Sequence, residues 1–164
     1  MALANPNGGR SPVTWEDFKE LEPGLAALGE ERFRLSGMVL LGSLRKNGWP
    51  RISPVEMLFH AGELYLGMMW HSRKALDLLR DPRCALHNTV SNRDGSEGDF
   101  KVYGRAHPVL DPGQQPTYCD ALYQQIGIDA GETEFHLFSI DIQAVAFVEI
   151  KDGEMIHPVW KIPE

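Results

Sequence analysis

Positive charge is what this chain is short of. Sixteen Lys and Arg stand against 23 Asp and Glu, giving a formal charge of −7 and a pI near 5.3. That balance argues against nucleic acid or an anionic membrane as the main partner, since both need a cationic face. Cysteine is nearly missing: Cys84 and Cys119 show no paired spacing, and Cys84 lies in an apolar stretch that reads as a buried thiol. The histidines His60, His71, His87, His107, His136 and His157 include no His-x-x-x-His or His-x-His pair, so no metal site is expected. Gly-x-Gly-x-x-Gly and Gly-x-Ser-x-Gly are both absent, which removes the signals for a dinucleotide fold and a nucleophile elbow. No apolar run is long enough to span a bilayer. Residues 1–13 are rich in Asn, Gly, Pro and Ser and lack a signal peptide's apolar core, so they read as a flexible arm. A cytoplasmic location is the default expectation.

What remains is enough apolar matter for one core: 43% hydrophobic residues in a chain of 164, read as a single domain over residues 14–164. Thr14, with an acidic first turn behind it, predicts a helix through Phe18 and Leu21 that Pro23-Gly24 interrupts, and a short second turn covers residues 25–33. Residues 38–44 read as a strand. Asn47-Gly48 is the strongest hairpin signal, leading into a strand over 51–59. Pro54 lacks an N–H for a ladder, so it requires an edge or a bulge. Ala61-Gly62 turns the chain into residues 63–69, and a helix over 72–81 stops at Asp81-Pro82. Further strands are expected at 83–90, 100–106, 135–148 and 155–162, with a helix over 115–125. Many short strands with few helices argue for a mainly β (α+β) barrel.

The most informative stretch is Ser72-Arg73-Lys74-Ala75, where a strand meets a helix. Ser72 occupies the N-cap position, and two cations follow at the helix end that already favours negative charge. Two readings stand. One is an ordinary capped helix with solvated charges. The other is an anion, most simply a phosphate, collecting N–H groups, hydroxyl and cations together.

The surroundings of that turn resemble the pyridoxamine 5'-phosphate oxidase-like, FMN-binding split β-barrel proteins. The resemblance rests on Gly42 to Val55 with its Asn-Gly turn, on Glu63-Leu64-Tyr65-Leu66, and on Ser72-Arg73-Lys74-Ala75 running to Asp81-Pro82-Arg83 and Leu86. It covers roughly residues 35–110. It implies a Greek-key-like split barrel, a homodimer with cofactor sites between subunits, and FMN-dependent oxidoreduction of a small molecule. By that resemblance Ser72, Arg73 and Lys74 clamp the phosphate, with Arg51 and Ser53 adding a cation and a hydroxyl. The flavin ring would lie along Pro54, Val55 and Glu56, with Met68, Met69 and Trp70 as wall. Lys101 and Gly104 match a strand near the dimer seam, and Trp160 could cover the cofactor. Relatives of the same barrel use a deazaflavin coenzyme (F-420 type) or bind haem, and some have no known activity. True pyridoxamine phosphate oxidases add an arginine-rich tail, whereas here no arginine follows Arg105. A substrate other than the vitamin phosphate is therefore implied, and no catalytic residue can be named.

Overall fold

The computed structural model describes residues 10–130 and 133–163. The expected arm therefore lies mostly outside the described residues, over 1–9. Its described end is pinned to the barrel by Asp141, whose side chain is fully buried. Arg10 donates to both Asp141 oxygens at 3.1 and 3.0 Å, and the Val13 N–H donates to Oδ1 at 2.8 Å.

Thr14 and Asp17 form a reciprocal capping box, satisfying N–H groups that would otherwise be orphaned at the start of α1 (Trp15–Leu21). Pro23 then opens a new helix rather than only ending the first, because its fixed φ suits the N1 position. The expected short turn is thus a 14-residue helix, α2 (Pro23–Ser36), closed by Gly37 in the left-handed conformation.

The strands follow: β1 (Met38–Leu44), β2 (Pro50–His60) and β3 (Glu63–Met69), then helix α3 (Arg73–Arg80), β4 (Arg83–Asn88) and β5 (Asp99–Pro108). Helix α4 (Gln114–Ile126), the long β6 (Phe135–Lys151), and the short β7 (Glu154–Ile156) and β8 (Val159–Lys161) complete the chain. The ladder runs β3-β2-β1-β4-β5-β6, and β3 pairs with β6 to close a six-stranded antiparallel barrel. β4 lies beside β1 after the β1-β2-β3 meander, which is Greek-key order. The single strand expected over 155–162 is two: β7 pairs with the end of β6, and β8 returns alongside Ala144–Ala146.

The barrel interior is filled by the inward half of each alternation, including Val39, Leu41, Met57, Leu66, Phe100 and Ile142. Helices α1 and α2 close one end with Trp15, Phe18 and Phe33. The Trp15 and Phe59 rings lie 4.6 Å apart. Trp160 packs on Phe18 at 5.1 Å, so it belongs to this plug. Cys84 is buried and free, as its apolar setting implied. A second, smaller core sits outside the barrel, where Tyr118, Ala121 and Leu122 of α4 pack on Leu58, Tyr65 and Leu137.

Gly29 lets α2 lie directly on Phe100. A Cβ there would stand 2.3 Å from the ring's Cζ. Gly29→Ala gains about 1 kcal/mol of helix propensity, but overpacking a fully buried ring costs about 1–3 kcal/mol. We expect net destabilisation of roughly 1 kcal/mol in urea unfolding. A stabilised variant would mean that Phe100 has room to move.

Candidate functional site

The β2–β3 ladder covers only Met57–His60 on β2, so the first half of β2 has a partner on its β1 side alone. Pro54 lies in that stretch, at the edge its missing N–H requires. The strands diverge there, and the β3–α3 turn and α3 enter the gap. Met69 C=O accepts from the Ser72 N–H at 3.0 Å, and α3 begins with Arg73. Ser72 holds the N-cap position, but its hydroxyl caps nothing: the Oγ is buried with no partner. The expected side-chain cap is corrected to an orphaned oxygen beside a helix start with no acidic residue in its first turn. An unmade bond of this kind costs free energy unless something else supplies a donor or acceptor.

Two grooves flank α3. The first, about 790 Å³, is lined by Arg45, Lys46 and Asn47 of the β1–β2 hairpin, Arg51 of β2, and Arg73, Leu76, Asp77 and Arg80 of α3. Residues 73, 77 and 80 share one face of the helix by their spacing. Arg51 Nε donates to Asp77 Oδ2 at 2.6 Å, and Arg80 donates to Oδ1 at 3.1 Å and to the Leu44 carbonyl. Burial pushes the Asp77 carboxyl up, but the two guanidiniums outweigh it and hold it below the usual carboxylate range. One carboxylate therefore organises two arginines, while Arg45, Lys46 and Arg73 widen the positive field. In a chain of net −7 this is a concentrated cationic surface.

The second groove, about 650 Å³, lies on the other side of α3. Pro54, Val55, Met68, Met69 and Trp70 line it, with Tyr118 and Leu122 of α4 opposite. Lys74 reaches into it and donates to the Pro54 carbonyl at 3.1 Å. Burial lowers the Lys74 pKa, and the charge of Glu56 partly restores it. Gly67 keeps this wall thin, since a Cβ there would meet the Tyr118 hydroxyl at 2.3 Å. At the mouth, Trp70 stacks on His136 with centroids 4.3 Å apart.

Of the residues expected from sequence, Arg51 and Arg73 meet in the cationic groove, and Pro54, Val55, Met68 and Lys74 meet in the apolar one. Met68 is also part of the barrel core. Ser72 stands between the grooves at the turn, and Ser53 lies on β2 between Arg51 and Val55. Lys101 is apart: it is on β5, on the face outside the barrel, 3.4 Å from Asp99. Arg45, Lys46, Asp77 and Arg80 were not expected. The 73/77/80 spacing could have revealed part of the set, but the hairpin's contribution depends on the fold.

At the far end of α3, Asp81 accepts from Arg83 Nη2 at 2.6 Å and from the Arg83 backbone, and is lowered to about 2. Asp77 and Asp81 are both depressed relative to the unfolded chain. Their contribution to stability is complete above about pH 4 and is lost as pH falls through the folded values. Urea midpoints should therefore hold steady down to about pH 4 and fall between about 4 and 2. Asp81→Asn should flatten the lower part of that fall, and an unchanged curve would remove Asp81 from the account.

The family model for pyridoxamine 5'-phosphate oxidase matches residues 29–150. A search of curated proteins gives no match. Among solved structures, a Clostridium acetobutylicum protein related to general stress protein 26 of B. subtilis, described as of the pyridoxinephosphate oxidase family, superposes with a TM-score of 0.58. Identity is 16%, over 84% of this chain and 96% of that one. A heme binding protein from Mycobacterium smegmatis gives 0.58 at 18% identity, over 80% of this chain and 57% of that one. The heme storage protein HutZ from Vibrio cholerae gives 0.59 at 14%, over 75% and 90%. At these identities the likeness concerns the fold.

Proposed function

The chain belongs to the pyridoxamine 5'-phosphate oxidase family, and on that premise we propose that it is an FMN-dependent oxidoreductase acting on a small molecule as a cytoplasmic homodimer. One juxtaposition carries the reading: consecutive residues Arg73 and Lys74 open onto a cationic groove and an apolar one. FMN has matching halves, a dianionic phosphate and a flat, largely apolar ring. The orphaned Ser72 Oγ is a fitting partner for a phosphate oxygen. FMN, when bound, supplies hydride or electron transfer at its ring.

The chain's own part is to bind, orient and shield. Ser72, Arg73 and Arg51 hold the anion, with Asp77 fixing Arg51 in place, and Lys74 faces the ring side. Pro54, Val55 and Met68 form the wall, and Ser53 precedes Pro54 on the same strand. Dimerisation is supported by the outer sheet face, where Ile52, Gly42, Ala85, Tyr103 and Ala144 form one register row. Ile52 is 73% exposed there, and small residues beside it would let a second sheet approach closely. Lys101 belongs to the next row, with Pro54, Leu40 and His87, which would place it in the subunit seam.

A haem-binding module without turnover is the second reading, favoured by the two haem proteins among the structural neighbours. The width of the cationic groove leaves room for a third, a deazaflavin reductase, whose cofactor carries an oligoglutamate tail. Absorbance spectra of the purified protein, titrated with each cofactor, separate the three. Flavin bands at about 370 and 450 nm that bleach with a nicotinamide donor support the oxidoreductase. A Soret band with haem and no response to FMN would overturn it.

A further inference from the structure

Among the described residues, three that are not glycine have positive φ: Ala61, His71 and Asp152. Ala61 and Asp152 each precede a glycine in a tight turn between paired strands, where that backbone is normal. His71 does not. It sits at φ 55° in the Met69–Ser72 turn, at a position that favours glycine or asparagine. A histidine adopts that region more readily than most residues, and an external tie holds it there. The structure has one: the His71 backbone N–H donates to His136 Nε2 on β6, at 3.2 Å.

We propose that His136 is a positioning residue, a latch by which β6 holds the turn that aims Ser72, Arg73 and Lys74. Its ring is held by stacking. Trp70 stacks on it at 4.3 Å and 14°, and Phe138 of its own strand lies 6.2 Å away. The ring is therefore fixed in orientation, with its Nε2 lone pair facing the His71 peptide. Only an unprotonated Nε2 can accept; protonation turns the acceptor into a donor and sets two N–H groups against each other.

The charged neighbours are few. From the β3–α3 turn, His71 stacks at 6.2 Å, and its charge opposes a charge on His136. Glu134 precedes β6, and Asp129 of the α4–β6 loop and Asp120 of α4 line the cavity that Trp70 shares; the adjoining β3 residues, Met68 and Met69, carry no charge. Burial and His71 together lower the His136 pKa, so the latch is closed at neutral pH and opens as pH falls below the ordinary histidine range. Opening frees the turn to leave its unfavourable backbone conformation. Anion binding at Ser72, Arg73 and Lys74 is then coupled to an unprotonated His136, and the coupling is reciprocal.

The coupling to cofactor rests on the proposed FMN reading, whereas the latch does not, and two measurements keep them apart. The first needs no ligand: hydrogen exchange of the His71 amide by NMR on the full chain. We expect protection at about pH 7.5 that is lost as His136 titrates, and loss at every pH in His136→Phe, which keeps the stack but not the acceptor. An unprotected His71 amide in the wild type at neutral pH overturns the latch. The second is FMN affinity from about pH 7.5 to 5.5. The ligand phosphate titrates in every variant, so the readout is the difference between profiles. Wild type should lose roughly threefold more affinity than His136→Phe over that range, and His136→Gln, whose amide oxygen can accept at any pH, should stay tight. Identical profiles in wild type and His136→Phe, or tighter wild-type binding at low pH through simple charge attraction, would overturn the coupling. A latch seen by exchange in a protein that binds no FMN overturns the cofactor reading alone.

Discussion

An Arg73→Ala/Lys74→Ala double variant is expected to lose FMN affinity by about 100-fold or more while its melting temperature holds or rises. Arg73 contributes a charge-assisted bond to a phosphate oxygen and Lys74, on the apolar side, one to the polar edge of the ring, each worth about 1.5–3 kcal/mol. Two of them together correspond to about 3–6 kcal/mol, which is roughly two to four powers of ten in Kd. The stability side runs the other way. Both residues occupy the first turn of α3, where positive charge opposes the helix dipole, so their removal relieves about 0.3–1 kcal/mol each. Losing the Lys74 bond to the Pro54 carbonyl returns about 1 kcal/mol of that. Binding titration and thermal melting on the same samples check both halves. A variant that still binds FMN within about threefold of wild type would move the phosphate elsewhere. One that merely unfolds would show the two cations to be structural.

The largest loss of stability is expected from Asp141→Ala. The carboxylate is fully buried and accepts from both Arg10 nitrogens and from the Val13 N–H. Breaking a buried pair costs about 3–5 kcal/mol because a charge is left uncompensated. Here Arg10 is about one-third exposed and regains water, so we expect roughly 2–4 kcal/mol. That is a large share of the about 5–15 kcal/mol that hold a domain of this kind together. Asp141→Asn should fall between, since an amide oxygen can still accept from Val13. Urea unfolding checks the series, and a change under about 0.5 kcal/mol for the alanine variant would show that the strap contributes nothing.

The barrel was largely legible in the chain because its signals are local. Asn47-Gly48, Ala61-Gly62 and Asp81-Pro82 punctuate strands whose alternation shows which side is buried. α2 was underread because Pro23-Gly24 looks like a break, whereas proline at a helix start is favourable and α2 gains its stability from packing on Phe100 and Phe59, far away in sequence. The turn at Ser72-Arg73-Lys74 was legible as a conflict between two cations and a helix dipole. Its splitting into two grooves was not, because that depends on where β2 loses its second partner. Ser72 looked like a cap by residue type, yet its hydroxyl is turned away from that task. The carboxylate of Asp77 looked like one more polar helix position, and only the fold brings Arg51 to it.

Because α3 is the wall between the grooves, its rotational phase decides which cation faces which side. Each residue advances a helix by about 100°. A one-residue insertion or deletion between Met69 and Arg73 would therefore turn Arg73 away from the cationic groove and Lys74 away from Pro54, with composition and charge unchanged. The β4–β5 loop carries no such phase information, and length changes there leave both grooves as they are. In the natural variation of this chain, gaps should accumulate around residues 91–98 and be purged from 69–73. The two basic residues act as a reading frame, meaningful only at a fixed count from the strand before them.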